Sequence, residues 1–208
     1  MWGTVGERYY ETGLDRGVLY VGANPGVPWI GLVSVNENSS GGEAKMYYID
    51  GLKYLQYSAS EEFEATVNAY SHPQEFAPCD GSVAIQNGLF ATQQPRVPFG
   101  MSYRTRVGND TQGPEHAYKI HLVYNALAEP AQRNNSSMGE SVVPTLLSWP
   151  IVTMAPSMTG VKPTAHLVID SRLTSPEVLE EVENVLYGDE SSSAELPTFE
   201  ELVAIFES

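Results

Sequence analysis

The sequence predicts a mainly β protein that closes with two amphipathic helices, and three observations carry that expectation. Phe99 to Val107 and Tyr118 to Ala126 alternate apolar and polar side chains over two long runs. Asp50-Gly51 lies between the aromatic-rich runs KMYYI and LKYLQY, the short-range mark of a two-residue turn with positive φ. Twelve tyrosines against six phenylalanines and three tryptophans suit half-wet sheet faces, where a ring packs while its hydroxyl finds a polar partner.

Each element follows in chain order. Met1 to Asp15 holds three glycines, mixed charge and the aromatics Trp2, Tyr9 and Tyr10. It is a poor core segment, so residues 1–15 read as an arm that orders against a neighbour. A β-rich unit spans 16–174, its first strand starting near Arg16. GVLYV from Gly17 and GLVSVNE from Gly31 are extended runs, separated by a loop broken at Gly22, Pro25, Gly26 and Pro28. NSSGG opens the hairpin tipped by Asp50-Gly51. In Ser58 to Tyr70 either Ser58 or Ser60 offers a helix cap, but Phe63, Ala65, Val67 and Ala69 recur every second residue. Glu62, Glu64, Thr66 and Asn68 fill the alternate places, which predicts a strand with one apolar and one polar face. Pro73, Pro78 and Asp80-Gly81 then break the chain around one helical turn at Gln74 to Ala77, before SVAIQNG resumes.

In the long ribbon Phe99, Met101, Tyr103, Thr105 and Val107 point one way, and Gly100, Ser102, Arg104 and Arg106 the other. Tyr118, Ile120, Leu122, Tyr124 and Ala126 oppose Lys119, His121, Val123 and Asn125, with VGNDTQGPEHA as a long polar tip. Arg104 and Arg106 are placed on one face with Lys119, either as a basic stripe or as partners of nearby acids. Pro130 to Pro144 is a Ser- and Asn-rich loop exposing Arg133 and Met138. Strands follow at Thr145 to Met154 and Thr164 to Ser171. Residues 175–208 form an acidic helical segment. Ser175 caps, Pro176 opens, Val178, Leu179, Val182, Val185 and Leu186 make one stripe, and Gly188 stops the first helix. Thr198 and Glu201 have capping-box spacing for the second, whose stripe is Phe199, Leu202, Val203 and Phe206. That helix is too short to stand alone in water, so the stripe docks on its own sheet or on an adjacent subunit.

Charge and chemistry narrow the function. The chain carries 26 acids against 11 bases, a net −15, and from Ser175 onward it has acids and no base. Such a surface gains nothing from counterion release, which argues against a tight nucleic-acid binder. The single cysteine, Cys79, cannot close an intrachain disulfide, and MWGTVGER lacks the basic start and apolar core of a signal peptide, so synthesis in a reducing cytoplasm is expected. No apolar run approaches the roughly 20 residues that span a bilayer. His72, His116, His121 and His166 show no ligand spacing with a second His, Cys or carboxylate, so neither metal nor cofactor is expected. No G-x-S-x-G elbow or phosphate loop is present, and adjacent Glu61 and Glu62 point to opposite strand faces and cannot flank one bond. No catalytic residue is assigned.

The run NGLFATQQPRVPFGMSYRTRVGND, followed by YKIHLVYNALAEP, resembles the major tail protein, or tail tube protein, of long non-contractile-tailed phages that infect actinobacteria. The resemblance continues through GERYYETGLDRGVLYV, YYIDGLKYL, EEFEATVNAYSHPQEFAPCDG, KPTAHLVIDSR and the two closing helices, so it covers nearly the whole chain. It implies a β-sandwich or flattened barrel with a short flanking helix. It also implies a non-enzymatic virion protein, assembled in the host cytoplasm, whose hexameric rings stack into the tail tube through which DNA is ejected. Its partners would be further copies of itself and other tail proteins such as the tape measure and terminator, with DNA passing unbound and no membrane involved.

Two assignments follow from that resemblance. A wall facing a sliding polyanion should be acidic or neutral, which gives the lumen to Glu62, Glu64, Thr66 and Asn68. Ring stacking falls to the arm, through Trp2, Tyr9 and Tyr10, and to the loops Asn36 to Ala44 and Gly108 to Glu115, through Glu37, Asn38, Asn109, Asp110 and Glu115. The rival is a monomeric β-sandwich binding module, glycan-binding or virion-decorating, using Pro28-Trp29 and Ser148-Trp149-Pro150 as aromatic platforms.

Overall fold

A computed structural model of the chain describes residues 3–137, 143–189 and 191–207. The strands are β1 (Tyr9–Tyr20), β2 (Val27–Pro28), β3 (Leu32–Gly41), β4 (Ala44–Ile49), β5 (Leu52–Ser58) and β6 (Glu61–Ala69). One 3-10 turn at Gln74–Phe76 precedes β7 (Val83–Gln86), β8 (Leu89–Ala91), β9 (Phe99–Asn109), β10 (Gly113–Ala128), β11 (Leu147–Thr153) and β12 (His166–Asp170). Two helices close the chain, α1 (Pro176–Tyr187) and α2 (Phe199–Glu207). The protein is mainly β, as the alternation predicted.

The main sheet is antiparallel and runs β2-β1-β9-β10-β11-β6-β3, with β12 added at β10. Strand β10 is the fork. One edge pairs with β9; the other pairs with β12 over Lys119 to Val123 and with β11 over Ala126 to Ala128. The switch sits at Asn125, whose φ of +47° is a left-handed conformation that Asn tolerates better than most residues. There the register slips between Val123 and Ala126, as a bulge does when it bends a strand. The chain thereby builds two layers from one sheet.

Between the layers lies the main core, which includes Leu19, Val67, Phe76, Met101, Val123, Trp149 and Ile151. On the outer side of β1, β9 and β10 a second core forms, in which Val18, Tyr20, Ile120, Leu122 and Tyr124 meet Leu179, Val182, Leu186 and Leu202 of the helices. Strand β9 is therefore covered on both faces, which is why Gly100 and Ser102 are buried too. A Cβ at Gly100 would lie 2.4 Å from Leu196. The Tyr20 hydroxyl donates to the Leu186 carbonyl at 2.8 Å, tying sheet to helix.

Several expectations shift. Strand β1 begins at Tyr9, not near Arg16, so the second half of the expected arm is paired to β9. Its alternation is hidden by register slips at Thr12/Leu14 and Asp15/Val18, where Gly13 and Arg16 have φ of +64° and +48°. The polar tip of the ribbon is short, since β9 runs to Asn109 and β10 starts at Gly113. Ala126 leaves the face of Tyr118 to Tyr124 at the Asn125 bulge and joins the main core. Lys119 pairs with Thr105, not with Arg104 or Arg106, so it lies on the opposite face and no basic stripe forms.

The Asp50-Gly51 turn is as expected, with φ of +51° and +76°. Both helices start as expected: Ser175 accepts from the Val178 amide, and Thr198 and Glu201 bond reciprocally. Helix α2 docks on its own protomer, but through Leu202 and Ile205. Val203 and Phe206 of the expected stripe are exposed, because apolar residues nearly encircle this helix and the surface it meets sets its rotation. No helix among the described residues is long and apolar enough to cross a membrane.

Candidate functional site

Three surfaces are built by this arrangement. The first is the outward face of the β3-β6-β11 layer. On β6, Phe63, Ala65 and Val67 enter or flank the core, which sends Glu62, Glu64, Thr66 and Asn68 outward. Register on β3 sets Ser40 beside Glu62, Asn38 beside Glu64, Asn36 beside Thr66 and Ser34 beside Asn68. Ser148 of β11 continues the row at Asn68. Strands β3, β6 and β11 contain no Lys or Arg, so this face is neutral to acidic throughout. Ser40 donates to Glu64, and the Asn68 amide donates to Ser34 at 3.0 Å, so the row is internally bonded. Asn68 itself is largely buried by these neighbours.

The second surface is the β4-β5 hairpin, inserted between β3 and β6. Met46, Tyr47, Tyr48, Ile49, Leu52, Tyr54, Leu55 and Tyr57 are all exposed, Leu52 to 74%. A second small hairpin, β7-β8, likewise exposes Val83, Ile85, Leu89 and Phe90. Two-stranded ribbons are marginal in water unless something packs on them, and apolar exposure on this scale marks an interaction surface. Composition flagged the turn at Asp50-Gly51 but not the isolation of the hairpin, which depends on β3 pairing with β6 directly beneath it.

The third is the end of the β9-β10 ribbon. Asp110 accepts from the Gly6 amide at 2.8 Å and lies 3.9 Å from Arg8, folding the described arm onto the ribbon of its own protomer. Asn109 is buried, its Oδ1 accepting from the amides of Thr111 and Gln112 as it shapes the turn. Glu115 pairs with Arg106, Tyr9 stacks on His116, and Tyr10 lies over Gly108. Trp2 lies outside the described residues. Of the other expected stacking residues, Asn38 is in β3 on the polar face, and Glu37 points into the gap between layers. The segment from Asn36 is strand as far as Gly41, so the expected loop is shorter.

Inside that gap the structure assembles a group that sequence spacing did not reveal. Glu37, His121 and His166 bring one carboxylate and two imidazoles together, with ligand atoms all within 4.8 Å of one another. They come from β3, β10 and β12, which are remote in sequence and meet only once the sheet has forked. Burial pushes His121 down to about 4 and lowers His166, so both rings are neutral near pH 7.

Other chemistry is muted. Cys79 is fully buried and its thiol is pushed up to about 12 by desolvation, which leaves it a poor nucleophile. Trp29 and Trp149 are core residues, their ring centroids 6.0 Å apart, so neither forms an exposed platform. Trp149 Nε1 donates to Asp80, which also holds Arg133. Arg104 and Arg106 both grip Asp15, while Lys119 pairs with Glu11.

No family model matches the chain, and no curated protein matches it. Among solved structures, the chain is similar to the cryo-EM structure of the anti-feeding prophage cap, described as the AFP tube terminating cap. The TM-score is 0.37 at 12% identity, over 82% of this chain and 100% of that one.

Proposed function

We propose that this protein is a structural virion protein of a phage tail, whose copies join into hexameric rings and stack as a tube for DNA. The observation that carries the reading is the β4-β5 hairpin, a projecting two-stranded ribbon with apolar side chains on both faces and no partner among the described residues to cover them. A second copy of the chain offers what such a ribbon needs. The open edges of the sheet add support: among the described residues β3 pairs as a strand with β6 alone, and the first half of β1 with β9 alone. Exposed edges of this kind invite aggregation in a monomer and are closed when subunits pair around a ring.

The lumen is assigned to the face bearing Glu62, Glu64, Thr66 and Asn68, now extended by Ser34, Asn36, Asn38 and Ser40. Its lack of cations supports that role, since each Lys or Arg on the bore would release counterions from passing DNA and hold it. Tape measure and terminator proteins are the expected partners at the tube ends. The protein acts through assembled surfaces, not catalysis.

Negative-stain microscopy of the purified chain tests this. Rings or tubes are the expected outcome; particles that remain monomeric at every concentration reject it and favour a binding module. Leu52→Lys combined with Tyr54→Lys should abolish assembly while leaving the circular dichroism spectrum of the protomer unchanged.

A further inference from the structure

We propose that Glu37, His121 and His166 form a binding site for a divalent transition-metal ion of the zinc class, which pins β3 of one layer to β10 and β12 of the other. The ligand atoms are Glu37 Oε1, His121 Nδ1 and His166 Nε2. His121 Nδ1 is 3.1 Å from His166 Nε2 and 3.4 Å from Glu37 Oε1. A tetrahedral ion with bonds of about 2.0–2.1 Å sets its ligands on edges of about 3.3 Å; the two edges at His121 have that length, while the Glu37–His166 edge is wider, within 4.8 Å, and closes as the ion binds.

The surroundings aim the lone pairs. His121 Nε2 lies 3.0 Å from Thr105 Oγ1, a hydroxyl that can accept the ring N–H when Nδ1 ligates. The Tyr103 hydroxyl donates to Glu37 Oε1 at 2.7 Å, fixing the carboxylate while leaving it a second lone pair. Stacking stops the rings from turning. Tyr103 and His121 are nearly parallel at 4.6 Å, His121 and His166 follow at 5.3 Å, and Phe63 covers His166 at 4.3 Å.

A bare N–H···N hydrogen bond between the histidines accounts for one of the two short separations. A cation at the meeting point accounts for both, drawing the Glu37 carboxylate and the two ring lone pairs together. The Glu37 side chain is 40% exposed, so a fourth position opens to water. The expected centre is two imidazoles, one carboxylate and a water. This inference stands apart from the assembly reading, since every ligand comes from one protomer.

The test is titration of the full-length protein, stripped with a chelator, with cobalt(II) followed by zinc. One equivalent of cobalt should give the intense visible bands of a four-coordinate centre, and zinc should bleach them and raise the thermal midpoint. His166→Gln should abolish the bands, and Glu37→Gln, at a partly exposed strand position, should weaken binding by at least about tenfold. Glu177→Gln with Glu180→Gln, on the acidic helix, should change nothing. No stoichiometric band in the native protein overturns the proposal, as does a band that survives both ligand substitutions in folded protein or vanishes with the helix pair.

Discussion

At the scale of single residues the firmest electrostatic feature is Asp15. Its carboxylate accepts from Arg104 Nε at 2.6 Å and Nη2 at 2.9 Å, and lies 3.0 Å from Arg106. The Arg104 hydrogen bond, more than any other contact, holds its pKa below the ordinary 3.8, against the opposing effect of desolvation. A group depressed in the folded state stabilises above its unfolded pKa and loses that contribution as pH falls through the folded value. Asp15→Asn should therefore cost about 1.5–3 kcal/mol at neutral pH, the usual worth of hydrogen bonds to charged groups. Urea unfolding should show the gap between native and variant narrowing as pH drops below the carboxylate range. That Arg104 and Arg106 find acids was one of the two alternatives open in the sequence. The face of Lys119 was not legible, because a one-residue offset between strands reverses every side chain, and the bulges that set the offset leave no periodic mark. The convergence of Glu37, His121 and His166 was invisible for a related reason: ligand spacing reports only neighbours on one element.

Elements show where local signals suffice. Ser175, Pro176 and the Thr198/Glu201 box mark both helix starts because capping chemistry is confined to a few consecutive residues. Which face of α2 is buried depends on what it meets. Leu186 is fully buried against the sheet, so Leu186→Ala should cost about 2–5 kcal/mol in chemical denaturation. Phe206→Ser should change protomer stability by no more than about 0.5 kcal/mol, since the ring is 46% exposed. A larger loss would place Phe206 in contact with the sheet. The Asp50-Gly51 hairpin was legible as an element, while its exposure was not, because burial is decided by the strands on either side.

For the whole molecule, the mainly β class and the closing helices could be read from alternation and stripes. The fork in the sheet could not, since it rests on one left-handed residue, Asn125. The polar face of β6 was legible, and the structure enlarges it by aligning the serines and asparagines of β3 beside it. Replacing Glu62 and Glu64 with Lys turns this assignment into a measurement. Tubes built from the doubly substituted protein should still form, but retain DNA in a filter-binding assay at low salt and release it as salt rises. Unchanged passage of DNA would move the lumen to another face.

The fork also orders events during synthesis. Strands β3 and β6 lie close in sequence and can pair as soon as they leave the ribosome, whereas β1 must wait for β9, and β10 for β12. Until Thr153 has emerged, β11 is missing from between β6 and β10, and the two halves of the main sheet stay unjoined with their core sides open. Commitment to the native topology therefore comes late, with the arrival of a single strand, and translation arrested just short of it should yield the most aggregation-prone length of the chain.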